Sequence, residues 1–372
     1  MEIYYFLTIL IAILFVYNKK YAYYSIILLG VVFLILIPST GNDYVAYKHA
    51  FDNAYFTTLF PWFQTASYLT SEPFYLWYTS FWSVILPLEF PYFLAFNFII
   101  CVSMVHIFFK PLFKEHTYYF WVMLLPVIFP TIFYWSPRSS ISFILILGGF
   151  LLLVNKRYWK SGVLLFLGCM MHSQFLLISF LIISTYFILL LYKSRPDKYL
   201  QIIIVISFIL FVFLISIDKL TGWLSSSLSF LPSGVIITSK LGYFEREAES
   251  SFRLTAVLSI AFYPVLAILL HLYKRKSNKM LFFNHHEKDF VFTIMLLAVC
   301  LYGAVINLAF WDNPHVAGRL SRFSDYIGMG ILIPTFFRTA TKQDIAKVVV
   351  IFFCVISPFL YKSLYVNASW GF

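Results

Sequence analysis

The chain has 372 residues, 61% of them hydrophobic and 12% charged, with a formal net charge of +11. So much apolar surface excludes a water-soluble globular fold and requires a bilayer as a second solvent. A transmembrane β-barrel is excluded too, because the apolar residues come in unbroken stretches and not in short alternating segments.

The first stretch, Ile3–Tyr17, has no basic start and no small-residue cleavage site, so it reads as a retained helix and not a secretory signal. Ala22–Ile37 is the next predicted span. Gly41–Ser71 is a polar excursion that holds Asp43, and Glu72 closes it just before Pro73. Phe74–Pro87 is short, lies between two prolines and carries Tyr75, Tyr78, Thr79 and Ser80, so it is expected to be re-entrant or interfacial. Tyr118–Trp135, Ser139–Val154 and Gln201–Ile217 are further spans. The run Trp159–Tyr192 is too long for one crossing, which predicts two segments joined as a helical hairpin at Met171–His172–Ser173, with Ser173 able to cap the second. Asp218–Ser251 and Lys274–Lys288 are the remaining long polar excursions.

Lysine and arginine favour cytoplasmic loops. Most of the 27 basic residues fall around Lys19 and in Lys110–Lys114, Lys156–Lys160, Lys193–Lys198, Lys274–Lys288 and Arg338–Lys347, which are assigned to the cytoplasm. Gly41–Ser71, Ser136–Arg138, Asp218–Ser251, Trp311–Arg322 and both termini then face outward. Topology thus explains the positive charge, and nucleic acid is not an expected partner. The assignment works only if Phe74–Pro87 does not cross, since a crossing there would carry Lys110 and Lys114 outside. The expected fold is therefore an all-α polytopic membrane protein with about twelve transmembrane helices plus one re-entrant or interfacial segment. It is read as a single transmembrane domain over residues 1–372, with outer loops at about 41–71 and 218–251 and no internal repeat.

Cys101, Cys169, Cys300 and Cys354 are scattered through apolar segments, which suits packing and not a zinc or redox site. His285–His286–Glu287 lacks helical ligand spacing and lies in a basic loop, so no metal site is expected. Ionisable groups in or at the edge of membrane spans are costly and point to function unless they snorkel or pair. Those groups are Asp43, Glu72, Arg138, His172, Arg319 and Arg322, with Asp325, Glu245, Arg246 and Glu247 as secondary members, all on the outer side of this topology.

Arg138 follows Pro137 at the start of an apolar helix, whose free backbone donors form a positive end suited to an anion; the competing reading is a snorkelling arginine. His172 sits at the hairpin join, where a satisfied structural imidazole competes with a ligand role. Arg319 and Arg322 are three residues apart and share a helix face if the helix has begun by Val316. Two guanidiniums there suit phosphate or pyrophosphate, although Arg322 could instead pair with Asp325. Glu72 or Asp43 could serve as general base to a sugar hydroxyl, with Glu72 the better placed for a desolvated, raised pKa.

These residues resemble, in order and spacing over most of the chain, the bacterial O-antigen or capsule polysaccharide polymerases of the Wzy class, in particular the EpsG-like family. The early element is Gly41-Asn42-Asp43 to Tyr47, followed by Glu72. Then come Arg138 in Pro137-Arg138-Ser139-Ser140, where a glutamine often follows in the family, and His172 after Gly168-Cys169-Met170-Met171. The late element is Arg319-Leu320-Ser321-Arg322-Phe323, running to Pro334. The resemblance implies a GT-C-type membrane glycosyltransferase of the bacterial cytoplasmic membrane. Such an enzyme joins undecaprenyl-diphosphate-linked oligosaccharide repeat units on the outer face, with diphosphate as leaving group.

On that reading Arg138, Arg319 and Arg322 bind the diphosphate, Glu72, Asp43 and His172 are the catalytic candidates, and Glu245, Arg246 and Glu247 sit on a lid over the glycan. No cofactor is expected, and the lack of an Asp-x-Asp pair suggests metal-independent chemistry. Implied partners are the lipid-linked oligosaccharides, membrane lipids, a chain-length regulator and a flippase. Rival readings are an O-antigen ligase using the same donor, a flippase with charges reachable from both sides, and an O-acyltransferase with His172 on the cytoplasmic side.

Overall fold

The structure is a computed structural model, and it describes residues 19–36, 42–53, 73–113, 136–193, 198–227, 287–311 and 313–327, with the isolated residues 7, 133 and 195. Regular structure among them is helical throughout. In chain order the helices are α1 (Lys19–Leu36), α2 (Asn42–Asp52), α3 (Pro73–Ser80), α4 (Phe90–Phe113), α5 (Pro137–Val154), α6 (Tyr158–Met171), α7 (Leu176–Leu191), α8 (Tyr199–Ser227), α9 (Glu287–Ala309) and α10 (Pro314–Ile327). The chain forms two compact units, residues Met1–Ser179 with Met329–Phe372, and residues Phe180–Gly328.

The first unit is built on α5, whose side chains are buried along nearly its whole length. Helix α6 returns antiparallel to it after a tight turn in which Lys156 takes φ 61°. The two helices approach closely because Gly149 and Gly168 present no side chain: a Cβ on Gly149 would stand 2.7 Å from Leu165 Cγ, and one on Gly168 2.6 Å from Ile146 Cδ1. That approach lets Ser142 Oγ donate to the Gly168 carbonyl at 2.6 Å and Ser161 Oγ to the Gly149 carbonyl at 2.7 Å. Hydroxyls buried in apolar surroundings are thereby satisfied.

Helix α4 runs parallel to α5, since Asn97 bonds Ser140 near both helix starts and Phe108 lies against Gly148 further along. Helix α1 packs on α4 in the opposite sense, its early Tyr23 ring lying 5.4 Å from His106 near the α4 end. These directions sort the charges. One end of the bundle carries Lys20, Lys156, Arg157 and Lys160, together with exposed Tyr21 (73%) and Trp159 (83%), as an interfacial belt of basic and aromatic residues does. The other end holds the starts of α4 and α5 and the close of α6.

In the second unit, α9 packs against both α8 and α10. Thr185 of α7 hydrogen-bonds Tyr302 of α9 through their hydroxyls. Asn313 caps α10, accepting from the Val316 amide at 3.2 Å with Pro314 in the first turn. Ser321 Oγ donates to Asn307 Oδ1 at 3.1 Å, and Gly303 leaves room for Ser324 to seat against α9. Helix α8 runs past Asp218 to Ser227, into the segment expected to be an outer loop.

The expectation of about twelve transmembrane helices plus a re-entrant or interfacial segment is overturned. Among the described residues five helices are long and apolar enough to cross a membrane: Phe90–Phe108, Pro137–Val154, Ser173–Leu191, Tyr199–Ser216 and Val291–Ala309. Apolar composition and helix length are different quantities. Helix α6 has the composition of a span, but its 14 residues rise only about 21 Å against a hydrocarbon core of about 30 Å. Tyr23–Leu36 is likewise apolar but short. Phe74–Pro87 is occupied by the eight-residue α3 and a π-helical turn at Phe81–Ile85. Its rings meet Phe93 and Phe96 in the first part of α4, and Ser83 Oγ donates to the Phe51 carbonyl at 2.8 Å. Tyr118–Trp135 and Ile3–Tyr17 lie outside the described residues, apart from Phe133 and Leu7.

The close approach of α5 and α6 gives a direct test. Gly149→Leu should lower stability by about 1–3 kcal/mol through overpacking, read as a drop in thermal unfolding temperature in detergent. Gly162→Ala, where an added Cβ would meet nothing within 4 Å, should leave it unchanged or raise it by up to about 1 kcal/mol through helix propensity.

Candidate functional site

Helix α5 starts as its sequence dictates: Pro137 occupies the first turn, and the chain before it is fixed by a bond between the Ser136 and Ser139 hydroxyls at 2.8 Å. The aligned peptide dipoles of the helix give this end partial positive charge. Arg138 adds a full one. Its guanidinium carbon lies 5.3 Å from the centroid of the Tyr47 ring, over the ring face. Tyr47 is buried in α2 and meets Tyr75 of α3 edge-on, with centroids 5.8 Å apart and planes at 78°. A chain of contacts Arg138–Tyr47–Tyr75 therefore ties α5, α2 and α3 together.

A buried polar network lies beside it. Tyr78 OH donates to Asn97 Oδ1 at 3.4 Å, Asn97 Nδ2 to Ser140 Oγ at 2.7 Å, and Ser140 Oγ to the Pro137 carbonyl at 2.6 Å. Burial first, and the neighbouring Cys101 second, raise the pKa of Tyr78, so its hydroxyl stays a neutral donor. The network pins the first turn of α5 to α4 and α3 and so sets where Arg138 leaves the helix.

His172 ends α6 in an extended conformation, with φ −155° and ψ 108°. It is buried, edge-on to Phe175 with centroids 5.7 Å apart, and its amide donates to the Gly168 carbonyl at 3.1 Å. Ser173 opens a 3-10 turn, Ser173–Phe175, and the cap position of that turn is His172, with no side-chain cap bond. Across the join, Cys169 Sγ donates to Ser179 Oγ at 3.3 Å. The Ser142–Gly168 bond puts the last turn of α6 beside the second turn of α5, so His172 and Arg138 stand at the same end of the hairpin. The 3-10 turn packs on α5, and α3 packs on α6. Tyr47, Tyr75, Arg138 and His172 thus gather at one end of the first unit, the end opposite the basic belt.

Arg319 and Arg322 belong to the second unit. Helix α10 has begun by Pro314, so the two arginines share a side, away from the Ala317, Ser321 and Ser324 face that meets α9. Both are half-buried. The remaining candidates are placed in part or not at all. Asp43 lies in the first turn of α2, but its side chain, like that of Asp325, is outside the described ones. Glu72, Glu245, Arg246 and Glu247 fall outside the described residues altogether. Among the described residues no three His, Cys, Asp or Glu side chains gather as a metal site would require.

Sequence reasoning missed three residues here. It placed Tyr47 in a motif without a partner, and it passed over Asn97, although a buried amide inside an apolar helix is itself a signal. The third is Gln174, in the 3-10 turn, whose Nε2 is buried with no hydrogen-bond partner among the described residues. A buried donor left unmet costs about 1–3 kcal/mol, a cost that a ligand oxygen at this end of the hairpin would remove.

The model of the EpsG family matches residues 20–370 of the chain. No curated protein and no solved structure matches it.

The unmet donor of Gln174 predicts the sign of a substitution. Gln174→Leu keeps the volume and removes the polar group, so thermal unfolding of the purified protein should occur at the same or a higher temperature. A fall equivalent to about 2 kcal/mol would mean that the amide is already bonded within the protein.

Proposed function

Because the chain belongs to the EpsG family, matched over residues 20–370, we propose that it is the polymerase that joins undecaprenyl-diphosphate-linked oligosaccharide repeat units at the outer face of the bacterial cytoplasmic membrane. The chain is a polytopic, helical membrane protein of the EpsG/Wzy-like kind, with a role in handling polysaccharide repeat units.

In the proposed step, the hydroxyl oxygen of the acceptor's terminal sugar attacks the anomeric carbon of the growing chain. The bond from that carbon to the diphosphate breaks, the diphosphate leaves with the electron pair, and Glu72 or Asp43 takes the hydroxyl proton. Arg138, Arg319 and Arg322 stabilise the charge that develops on the leaving diphosphate, with guanidinium groups in the part that a divalent cation plays in other transferases. His172 acts as a further diphosphate ligand or alternative base, and Glu245, Arg246 and Glu247 contact the glycan as a lid. A flippase would deliver the lipid-linked units and a chain-length regulator would act on the product.

The observation that carries this reading, beside the family match, is the contact of Arg138 with Tyr47 at the end of the first unit that lacks the basic belt, the same end at which α6 closes on His172. A lipid-linked diphosphate at the outer membrane surface needs a cation there, and the first turn of α5 supplies both a helix end and an arginine.

Two experiments test the proposal. The gene is deleted from its host and complemented at matched protein levels with wild type or with Arg138→Ala, Arg319→Ala or Arg322→Ala, and surface polysaccharide is run on a gel. The expected result is a ladder with wild type and a single-repeat band with each arginine variant. Loss of every band above bare core would indicate a ligase or flippase, and an unchanged ladder in the deletion strain would remove the polymerase reading. For orientation, a single cysteine at exposed Ser173 should react with a membrane-impermeant maleimide in intact spheroplasts, and one at Trp159 only after permeabilisation. The reverse pattern would put the site on the cytoplasmic side.

A further inference from the structure

We propose that Tyr47 is a positioning residue for the leaving-group site: the face of its ring holds the Arg138 guanidinium in the orientation that meets the diphosphate. The inference rests on the reading of Arg138 as a diphosphate ligand.

An arginine at a helix start has a long, rotamer-rich side chain, and an anion site requires that chain to be preorganised. A carboxylate would fix it but would also neutralise the charge that the diphosphate is to meet. An aromatic face fixes a cation without adding negative charge, because the attraction is to the ring quadrupole. The guanidinium stands 5.3 Å from the Tyr47 centroid, within the range of that interaction. The ring is in turn immobilised. It is only 5% exposed, Tyr75 abuts it edge-on at 5.8 Å, and Tyr75 itself is 2% exposed. Tyr47 comes from α2 and Tyr75 from α3, so Arg138 is aimed by two elements outside its own helix. The Tyr78–Asn97–Ser140 network holds the backbone end of the same side chain. Backbone and guanidinium are thereby fixed independently.

A packing role and a charge-orienting role for Tyr47 differ in their dependence on ring electronics. Position 47 is therefore occupied in turn by tyrosine, phenylalanine and mono-, di- and trifluorophenylalanine. These rings are nearly equal in shape but fall steadily in quadrupole. Full-length protein is reconstituted in lipid nanodiscs, and the affinity for undecaprenyl diphosphate is measured by titration together with thermal unfolding.

The expected result is that Tyr47→Phe binds within about twofold of wild type and that affinity falls stepwise with fluorination, by about tenfold over the series, at constant unfolding temperature. In an Arg138→Ala background the series should be flat. Equal affinity across the series with Arg138 present would overturn the role of Tyr47 and leave the polymerase reading standing. Failure of the wild-type protein to bind undecaprenyl diphosphate would overturn that reading, and this inference with it.

Discussion

Two glycines set the geometry of the first unit. Gly149 and Gly168 allow α5 and α6 to approach until the hydroxyls of Ser142 and Ser161 reach backbone carbonyls of the facing helix. In a bilayer there is no hydrophobic force between helices to exploit, so close packing of small residues and hydrogen bonds across the seam have to hold them. The two bonds also fix register. With Ser142 beside Gly168, the close of α6 has to come up beside the start of α5, and His172 and Arg138 share an end because of it. A bulkier residue at either glycine would shift that register as well as weaken the pair.

The functional consequence is a cation on an ordered support. Arg138 emerges from a helix start whose backbone is tied to Asn97 and Tyr78, and its head group rests on Tyr47. Short segments supply the aromatic side of this arrangement. Helices α2 and α3 bring Tyr47, Phe51, Tyr75 and Tyr78 against the first turns of α4 and α5. The division of labour is clear in the sequence of contacts: long apolar helices give the rigid frame, and the short elements beside their ends carry the side chains that aim the charge.

The parts of this arrangement that depend on local rules were legible in the sequence. Pro137 starts α5, α6 stops at Met171 with His172 after it, and α10 has begun early enough for Arg319 and Arg322 to share a side. Each follows from proline geometry, helix length or helical periodicity within one segment. The resemblance to the EpsG-like family also holds over nearly the whole chain. What local rules could not give was the number of crossings and the partners of each group. Hydropathy counts α6 as a span, although its 14 residues are too few. The contact between Tyr47 and Arg138 joins elements far apart in the chain, so the motif that contains Tyr47 gave it no partner, and a search confined to charged residues and histidine passed over Asn97 and Gln174.

In the proposed reaction this chain builds polysaccharide by transferring a glycan from one lipid diphosphate to another, with Arg138 at the leaving group. It is tested most directly with purified protein in proteoliposomes that contain only single-repeat undecaprenyl-diphosphate-linked oligosaccharide, with products followed by mass spectrometry. The expected products are lipid-linked dimers and longer oligomers, with one undecaprenyl diphosphate released for each bond formed, and both are lost with Arg138→Ala. Unextended single repeats with the folded wild-type protein, or the same oligomers with Arg138→Ala, would contradict the proposed reaction.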